Sequence, residues 1–420
     1  MLRTLAAGSP GGREALAALA RARSSPDFAA LTDAMPLVKA VLDGGEPALR
    51  RLVAELDRAT PDRLLVTPAA GPPVDRAFAA AFRLAARRVA AYHRRQLPRG
   101  FAYRDRQGVS FRETPVPHER VGVYVPGGRA FYPSSLIMGV VPAKVAGAGR
   151  IVVATPPNAW AGSAELRWAA RELGVDAVLL AGGAHGIAGL VALCGCTKIV
   201  GPGNRWVAAA KHLLSSVVSV DLPAGPSEVL ILASGDADPE RVAADLLAQA
   251  EHDPEAVCLL FTDTRRLAVA VSEQVASQCA ALPQPDVARR SLAAHGLALV
   301  FRTLDAAARE ARRVAAEHVQ LLGAAAERHR DALQETAGAL FVGGDTPTAL
   351  GDYLAGPNHV LPTGGAARSF SGLSTRDFFR YGRSVKASPA AARRLAPAAA
   401  VLARFEGLEA HARSLLLRVK

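Results

Sequence analysis

The sequence contains little of several residue types, and each scarcity excludes a class of protein. Its 420 residues include only 4 cysteines, too few for the disulfide framework of a secreted domain. Every apolar run is short; Met138–Val141, for example, is followed by Lys144 and Arg150, well before the roughly 18 residues that a membrane span needs. The N-terminus lacks the unbroken apolar stretch of a signal peptide. We therefore expect a cytoplasmic protein with reduced cysteines and no contact with a membrane.

Two of the cysteines lie close together. Cys194 and Cys196 are separated by one glycine, a spacing that could form half of a metal or redox site. The sequence provides neither a second Cys pair nor a nearby His cluster, so we interpret both thiols as buried packing groups.

The positive charge is concentrated at one end of the chain. The net charge is +12, and the segment from Arg368 to Lys420 has eleven Lys and Arg against three acidic residues. A basic surface is the usual footprint of phosphate binding, but this segment has no RNP signature, no zinc-finger spacing and little aromatic interleaving among its basic residues. We therefore predict no nucleic-acid partner, and interpret the segment as an arm that docks on an acidic surface or as an anion-handling edge.

The hydropathy pattern predicts an α/β protein. With 50% hydrophobic residues, 37 Gly and 28 Pro, the chain can bury a large core in two or three domains. Apolar stripes at helical spacing predict helices over 31–41, 45–57 and 74–97, and alternation around 106–108 predicts a hairpin. Short β runs then alternate with helix-length segments, as in parallel βα units; the predicted strands are 121–125, 150–154, 177–181, 198–200 and 216–220, then 228–233, 256–261, 297–301 and 339–342.

Polar side chains that could carry chemistry follow two helices. The helix from Asp238 to Glu251 ends near Gln249 and His252, which are three residues apart and share a face. They could converge on one ion or ligand, or simply cap the helix. Glu317 and His318 stand where a helix meets a strand, and such a pair can divide general acid–base work, although most adjacent Glu-His pairs are surface residues.

Three further segments are candidates for binding. Asp352 lies in a stretch rich in Gly, Pro and polar residues, which predicts a functional loop. Glu406 and His411 add a carboxylate and an imidazole inside the basic arm. The glycines of 147–149 and 201–203 are only fragments of a dinucleotide fingerprint, and the turn after Tyr124 suits either a phosphate or a purely structural role.

Taken together, these stretches resemble the histidinol dehydrogenase family. The resemblance covers nearly the whole chain and includes the strings KIVGPGN and LLAQAEHDPEA. The segments that carry it are 119–149, 198–204, 220–233, 246–256, 316–322, 351–374 and 406–418.

The resemblance implies a fold, a cofactor set and a reaction. The fold would be two doubly wound, incomplete Rossmann-like parallel-sheet units with N-terminal helices and a small helical C-terminal arm. The division would be an N-terminal helical segment, 1–30; a discontinuous α/β domain, 31–123 and 229–373, with most zinc-site residues; a second domain on the NAD side, 124–228; and an arm, 374–420, that contributes to a partner's site. The reaction would be the zinc- and NAD-dependent oxidation of L-histidinol through L-histidinaldehyde to L-histidine, with two NAD per turnover.

The resemblance also assigns residues to roles. One Zn²⁺ per subunit would be held by Gln249, His252, Asp352 and His411, a mixed N and O set that leaves room for substrate. His318 would be the general base and Glu317 would activate water. Ser227, His359 and Glu406 would contact substrate together with the zinc ligands and His318, and Glu406 and His411 would come from the second subunit of a homodimer.

The cofactor positions fall on Tyr124, His185 and Asn204. His185 stands where the family usually has Gln, so NAD binding need not follow the family pattern. Ala316 replaces a usual Pro, and Asp253 replaces a common Gly and either tunes the metal site or faces solvent.

Other functions remain open at this point. The same zinc and NAD site could act on another small alcohol, such as a sulfonated diol. The ligand set could also serve a zinc hydrolase, and the basic arm could bind nucleic acid beside a vestigial site.

Overall fold

The computed structural model describes residues 2–22, 27–69, 73–127, 132–222 and 225–419. The strands are β1 (Arg3–Ala6), β2 (Leu65–Val66), β3 (Phe101–Arg104), β4 (Val109–Pro117), β5 (Arg120–Tyr124), β6 (Arg150–Thr155), β7 (Ala177–Leu180), β8 (Lys198–Val200), β9 (Ser219–Val220), β10 (Glu228–Ala233), β11 (Val257–Thr262), β12 (Gly296–Val300), β13 (His318–Leu322), β14 (Ala339–Val342) and β15 (Phe379–Ala387). These include the strands and the hairpin that the sequence predicts.

The helices connect these strands. They are α1 (Pro10–Ala22), α2 (Phe28–Leu52), α3 (Arg76–Arg94), α4 (Pro133–Ala146), α5 (Pro157–Gly162), α6 (Ala164–Glu172), α7 (Gly183–Ala192), α8 (Arg205–Leu214), α9 (Pro239–Ala250), α10 (Arg265–Ala281), α11 (Asp286–His295), α12 (Leu304–Val314), α13 (Ala324–Glu327), α14 (Arg330–Gln334), α15 (Thr348–Tyr353), α16 (Pro389–Phe405) and α17 (Glu409–Leu416). A π-helical turn, Val53–Asp57, follows α2. No helix among the described residues is both long enough and apolar enough to cross a membrane.

Two six-stranded sheets form the body of the molecule. Sheet one has the order β1-β12-β11-β10-β13-β14 and is parallel throughout, whereas sheet two has the order β2-β7-β6-β5-β8-β9 and is parallel except for β2. Apolar side chains fill both faces of each sheet, in four separate clusters. Strands buried on both faces explain the continuous apolar runs of the sequence. The fold is therefore α/β with two doubly wound units, as predicted.

The strand pairings differ from the predicted division of the chain in two places. Residues 1–30, predicted to be helical, include β1, which pairs in parallel with β12 in sheet one. Residues 31–123, predicted to join 229–373, carry β2 and β5 of sheet two and the helices that cover it. Val38 and Leu49 of α2, for example, pack in one cluster with Val152 and Leu179. Hydrophobic periodicity shows that a segment is buried but not against which sheet, which explains the difference.

The C-terminal arm combines a strand with its helices. Its two helices, α16 and α17, pack against each other as the predicted helical arm. Before them, β15 pairs antiparallel with β4 along its whole length and forms a three-stranded sheet with β3. The sequence indicates no strand here because seven of the nine β15 residues are exposed and none is buried, so the strand has no buried apolar face. The arm is thus anchored to the body at its beginning.

Candidate active site

The Glu317–His318 pair begins β13 at the amino-terminal edge of sheet one. The preceding helix α12 ends in a left-handed turn at Ala315, with φ of 49°, which redirects the chain into the strand. Both side chains are buried, at 5% and 6% exposure, so they are not a surface pair. Glu317 Oε2 accepts a hydrogen bond from the Glu228 backbone N–H at 2.8 Å and lies 3.5 Å from His318 Nδ1.

The hydrogen bonding of His318 defines which of its nitrogens is available. Nδ1 lies 3.2 Å from the backbone oxygen of Glu228. Because a carbonyl oxygen only accepts, Nδ1 carries the proton of this bond, and Nε2 is the basic nitrogen whenever the ring is neutral. Burial opposes protonation of His318, but the charge of Glu317, its hydrogen bond, Asp352 and the Glu228 carbonyl together raise the pKa to about 9.

Asp352 and His359 lie beside this pair. Asp352 is in α15, a short helix rather than the predicted loop, because Thr348–Tyr353 closes one helical turn after Pro347. Gly351 lets this helix approach the ring of Phe341, where an added Cβ would lie 2.5 Å from Cζ. His359 Nδ1 donates to the Asp352 backbone oxygen at 3.1 Å and lies 3.9 Å from its Oδ1. Burial lowers the pKa of His359, whereas Asp352 acts in the opposite direction.

Gln249 and His252 approach from α9, which packs against α15. Gln249 is 4% exposed, and its Nε2 has no hydrogen-bond partner among the described residues. His252 lies in the exposed turn that follows the helix. In the same turn, Asp253 Oδ1 accepts from the Glu255 N–H at 2.8 Å, and its side chain faces solvent. Ser227 is half-buried next to β10, where its carbonyl accepts from Val257 N.

The arm residues do not join this group within one chain. Glu406 follows α16 and His411 lies in α17, and both are exposed. Within the described ranges, no three His, Cys, Asp or Glu side chains come together as a metal site, so His252, Asp352 and His411 are not assembled by a single chain.

The predicted cofactor residues lie at the carboxyl edge of sheet two. The chain runs outward from β5 through β6 to β7 and then returns to β8 on the other side of β5. Ligands of open α/β sheets bind outside the carboxyl ends of the strands at such a switch point. Tyr124 ends β5 and Asn204 follows β8, so the two residues flank it.

Each of these three side chains already has a protein partner. Tyr124 is buried, which raises its pKa to about 12, and its hydroxyl oxygen accepts from Gly183 N at 2.9 Å. Asn204 Oδ1 caps α8 by accepting from Val207 N at 3.1 Å. His185 lies in α7 with Nε2 2.9 Å from Asp57 Oδ2.

A buried ion pair behind the β8 turn was not anticipated from the sequence. Lys211 Nζ lies 2.5 Å from Asp221 Oδ1, and both side chains are at most 5% exposed. Lys211 also donates to the Gly201 oxygen, while Asp221 Oδ2 accepts from Gly201 N. The two residues therefore hold the turn that leads to Asn204. The available signal was Lys211 itself, a charge on the apolar stripe formed by Val207, Ala210 and Leu214.

The two edges face each other. Tyr132 precedes α4, the helix that follows the carboxyl end of β5, and Tyr353 follows Asp352 in α15. Burial raises the pKa of Tyr353, and the charges of Asp352, Glu251 and Tyr132 act in the same direction. Asn358, next to His359, donates from Nδ2 to the backbone oxygen of Met138 in α4 at 2.8 Å. The helix that follows the β5 turn therefore packs against the segment that carries His359.

Two further histidines and two cysteines have packing roles. His93 Nδ1 bonds to Thr375 Oγ1 at 3.1 Å and His118 Nδ1 to Thr197 Oγ1 at 3.0 Å. Cys194 and Cys196 are buried free thiols whose pKa values burial raises to about 11 and about 12, which is consistent with unreactive packing groups.

A family model, curated relatives and one solved structure point to the same family. The family model described as histidinol dehydrogenase matches residues 20–419. A histidinol dehydrogenase of Agrobacterium fabrum is 45% identical over 86% of this chain and 84% of its own length. One of Bradyrhizobium diazoefficiens is 42% identical over 92% of each chain. The crystal structure of histidinol dehydrogenase from Elizabethkingia anophelis superposes with a TM-score of 0.86 at 27% identity, covering 100% of this chain and 98% of that one.

Proposed function

The chain belongs to the histidinol dehydrogenase family, an oxidoreductase family, and from this premise we propose that it oxidises L-histidinol through L-histidinaldehyde to L-histidine, the closing steps of histidine biosynthesis, in the cytoplasm. The reaction removes four electrons in two steps, with one water added at the aldehyde. The observation that carries the proposal is the buried Glu317–His318 pair, with Nδ1 of His318 engaged and Nε2 available.

The residues present fit a zinc ion. The unpartnered buried amide of Gln249 is an orphaned polar group of the kind that a ligand or ion satisfies. Asp352 and Glu317 place negative charge next to His318, and a cation there would offset the charge that raises its pKa. Gln249, His252 and Asp352 would hold the ion together with His411 of the partner subunit. When bound, zinc would supply a cation that orients the nitrogen donors of the substrate.

The residues of the chain then divide the proton transfers. His318 Nε2 would take the hydroxyl proton of the alcohol, because the Glu228 carbonyl keeps the proton of the ring on Nδ1. Glu317 would remove a proton from the water that adds to the aldehyde, and its bond from Glu228 N keeps the carboxylate oriented. His359 and Ser227 would contact the substrate. NAD would supply the hydride acceptor in each step.

The cofactor residues fit a dinucleotide at the switch point of sheet two. His185 Nδ1 is buried without a hydrogen-bond partner among the described residues, which leaves one polar atom at this edge unsatisfied in the free protein. Tyr124, His185 and Asn204 would line this side. The hydrogen bond from Asn358 Nδ2 to the Met138 oxygen, which joins α4 to the segment carrying His359, supports direct transfer between the two edges.

The exposed apolar side chains of the arm support a homodimer with shared sites. Leu402 is 67% exposed and Phe405 is 91% exposed on α16, next to Glu406. Apolar patches of this kind mark interaction surfaces. A second copy that covers this face would bring its Glu406 and His411 to the site that lacks them in one chain.

The test is a measurement of NADH formed per L-histidinol consumed at limiting substrate. We expect two NADH per histidinol, with loss of turnover after chelation and recovery after zinc is restored. His252→Ala should lose bound zinc, whereas Asp253→Asn, in the same exposed turn, should keep it, as checked by metal analysis of the purified proteins.

One alternative substrate class has its own signature. NADH formed from another small alcohol, such as a sulfonated diol, but not from histidinol would support the same zinc and NAD site with a different substrate. No NADH from any alcohol, with zinc bound, would contradict the proposed function.

A further inference from the structure

Asp57 reaches the cofactor edge of sheet two from an element outside the sheet. It is the last residue of the π-helical turn after α2, and Arg58 then turns the chain with φ of 52°. The Asp57 side chain is only 10% exposed. Its backbone oxygen accepts from Asn158 Nδ2, in α5, at 3.1 Å. The residue is thus held at both its main chain and its side chain.

A single oxygen of Asp57 makes two contacts with the turn that begins α7. Oδ2 accepts from Gly182 N at 2.9 Å and lies 2.9 Å from His185 Nε2. The fit is close, because a Cβ at Gly182 would lie 2.6 Å from Asp57 Oδ1 and 2.9 Å from Pro156 Cγ. A charged acceptor with two donors makes stronger hydrogen bonds than a neutral one.

The next peptide group continues these contacts to Tyr124. Gly183 has φ of 52°, a left-handed conformation suited to glycine, and its N–H donates to the Tyr124 hydroxyl. A continuous series of bonds therefore joins Asp57 through the Gly182–Gly183 turn to the end of β5. If the hydrogen bonds of Asp57 are lost, the Gly182–Gly183 turn is no longer held in place. The position of the Tyr124 hydroxyl, which depends on the Gly183 N–H, then changes as well.

The same contact determines the tautomer of His185. Because a carboxylate oxygen only accepts, His185 Nε2 carries the proton that faces Asp57. In the neutral ring Nδ1 then has a lone pair, and it is this nitrogen that is buried and unpartnered within the described part of the chain.

We propose that Asp57 is a positioning residue for NAD binding, which holds the Gly182–Gly183 turn and fixes His185 as the Nε2–H tautomer. This inference rests on the proposed function, since it presupposes that the dinucleotide binds at this edge. Asp57 touches neither substrate nor cofactor and acts through the turn.

The first experiment compares NAD binding by calorimetry in the zinc-loaded protein and in three variants. Asp57→Ala should raise the Kd for NAD about tenfold to a hundredfold, as expected for loss of hydrogen bonds to a charged group. Asp57→Asn should bind within about threefold of wild type, because its amide oxygen can take the place of Oδ2. Glu55→Ala, an exposed carboxylate of the same turn, is the matched control and should bind as wild type. Zinc content and histidinol affinity should not change in any of them.

The second experiment reads the tautomer of His185 in the NAD-free protein by long-range ¹H–¹⁵N NMR with ¹⁵N-labelled histidine, assigned with His185→Gln. We expect protonated Nε2 in the wild type and in Asp57→Asn, and a mixture in Asp57→Ala. This measurement tests the role of Asp57 even if Asp57→Ala does not fold. If His185 of the wild-type protein carries its proton on Nδ1, the proposal is overturned.

The outcomes separate this inference from the proposed function. Wild-type protein that binds zinc but no NAD overturns the proposed function and the positioning role with it. Wild-type protein that binds NAD, with folded Asp57→Ala binding within twofold of it, overturns only the role of Asp57.

Discussion

The two large sheets share one strand order but carry their proposed chemistry at opposite edges. Each has a central strand, β10 or β5, from which the chain runs outward through two further strands before returning to the other side, at β13 or β8. In sheet one, His318 and Ser227 lie at the amino ends of the strands. In sheet two, Tyr124 and Asn204 lie at the carboxyl ends.

This difference follows from how the sheets face each other. In the proposed function, sheet two would use the edge that its switch point and helix N-termini favour for ligands. Sheet one turns its amino edge toward that position, so the side chains able to meet a ligand there are those at strand starts and helix ends, such as Gln249 and Asp352. A repeated topology therefore does not imply a repeated site, since orientation in the tertiary structure determines which edge is used.

The largest expected effect of breaking this arrangement is at sheet one. His318→Ala should lower kcat by about a thousandfold or more, near the upper range for loss of a general base. Zinc content and the Kd for NAD should stay close to wild type, since His318 lies at the other edge. Steady-state kinetics with metal analysis and calorimetry check this, with the exposed His212→Ala as the control. Turnover within tenfold of wild type would rule out the assigned role.

An intermediate effect is expected at the carboxyl edge of sheet two. Lys211→Met leaves Asp221 buried without its cation and should destabilise the protein by about 3–5 kcal/mol. Lys39→Met removes the exposed partner of Asp43 and should cost less than about 1 kcal/mol. Urea unfolding measures both. Equal losses would show that the Lys211–Asp221 pair does not support the β8 turn.

The smallest effect is expected from crowding the amino edge of sheet one. Gly351→Ala places a methyl group against Phe341 and should cost about 1–3 kcal/mol, with weaker zinc binding because Asp352 shifts. Gly162→Ala, where an added Cβ meets nothing within 4 Å, should be nearly neutral. Thermal unfolding and zinc titration test the pair. Unchanged zinc affinity in Gly351→Ala would mean that Asp352 is not held by this contact.

Much of the fold and several site residues were predictable. The strands and the doubly wound class follow from buried apolar runs between helical stripes, and the resemblance singled out Glu317, His318 and Asp352, which the structure brings together with His359. The resemblance could not indicate Asp57, because a single Asp at the end of a helix has no pattern of its own. The strand β15 was also missed, because its pairing with β4 buries little side-chain surface.

The sequence by itself determined most of the helices and strands and which side chains are chemically able to act, since both depend on local spacing and residue type. Only the tertiary structure decided which sheet each N-terminal element joins, which edge of each sheet faces the other, and that His185 meets Asp57 rather than solvent. These outcomes depend on contacts between residues that are far apart in the chain, such as Asp57 and His185, which are separated by 128 positions in the sequence. Periodicity carries no information about such pairings, because it records that a residue is buried and not what it is buried against.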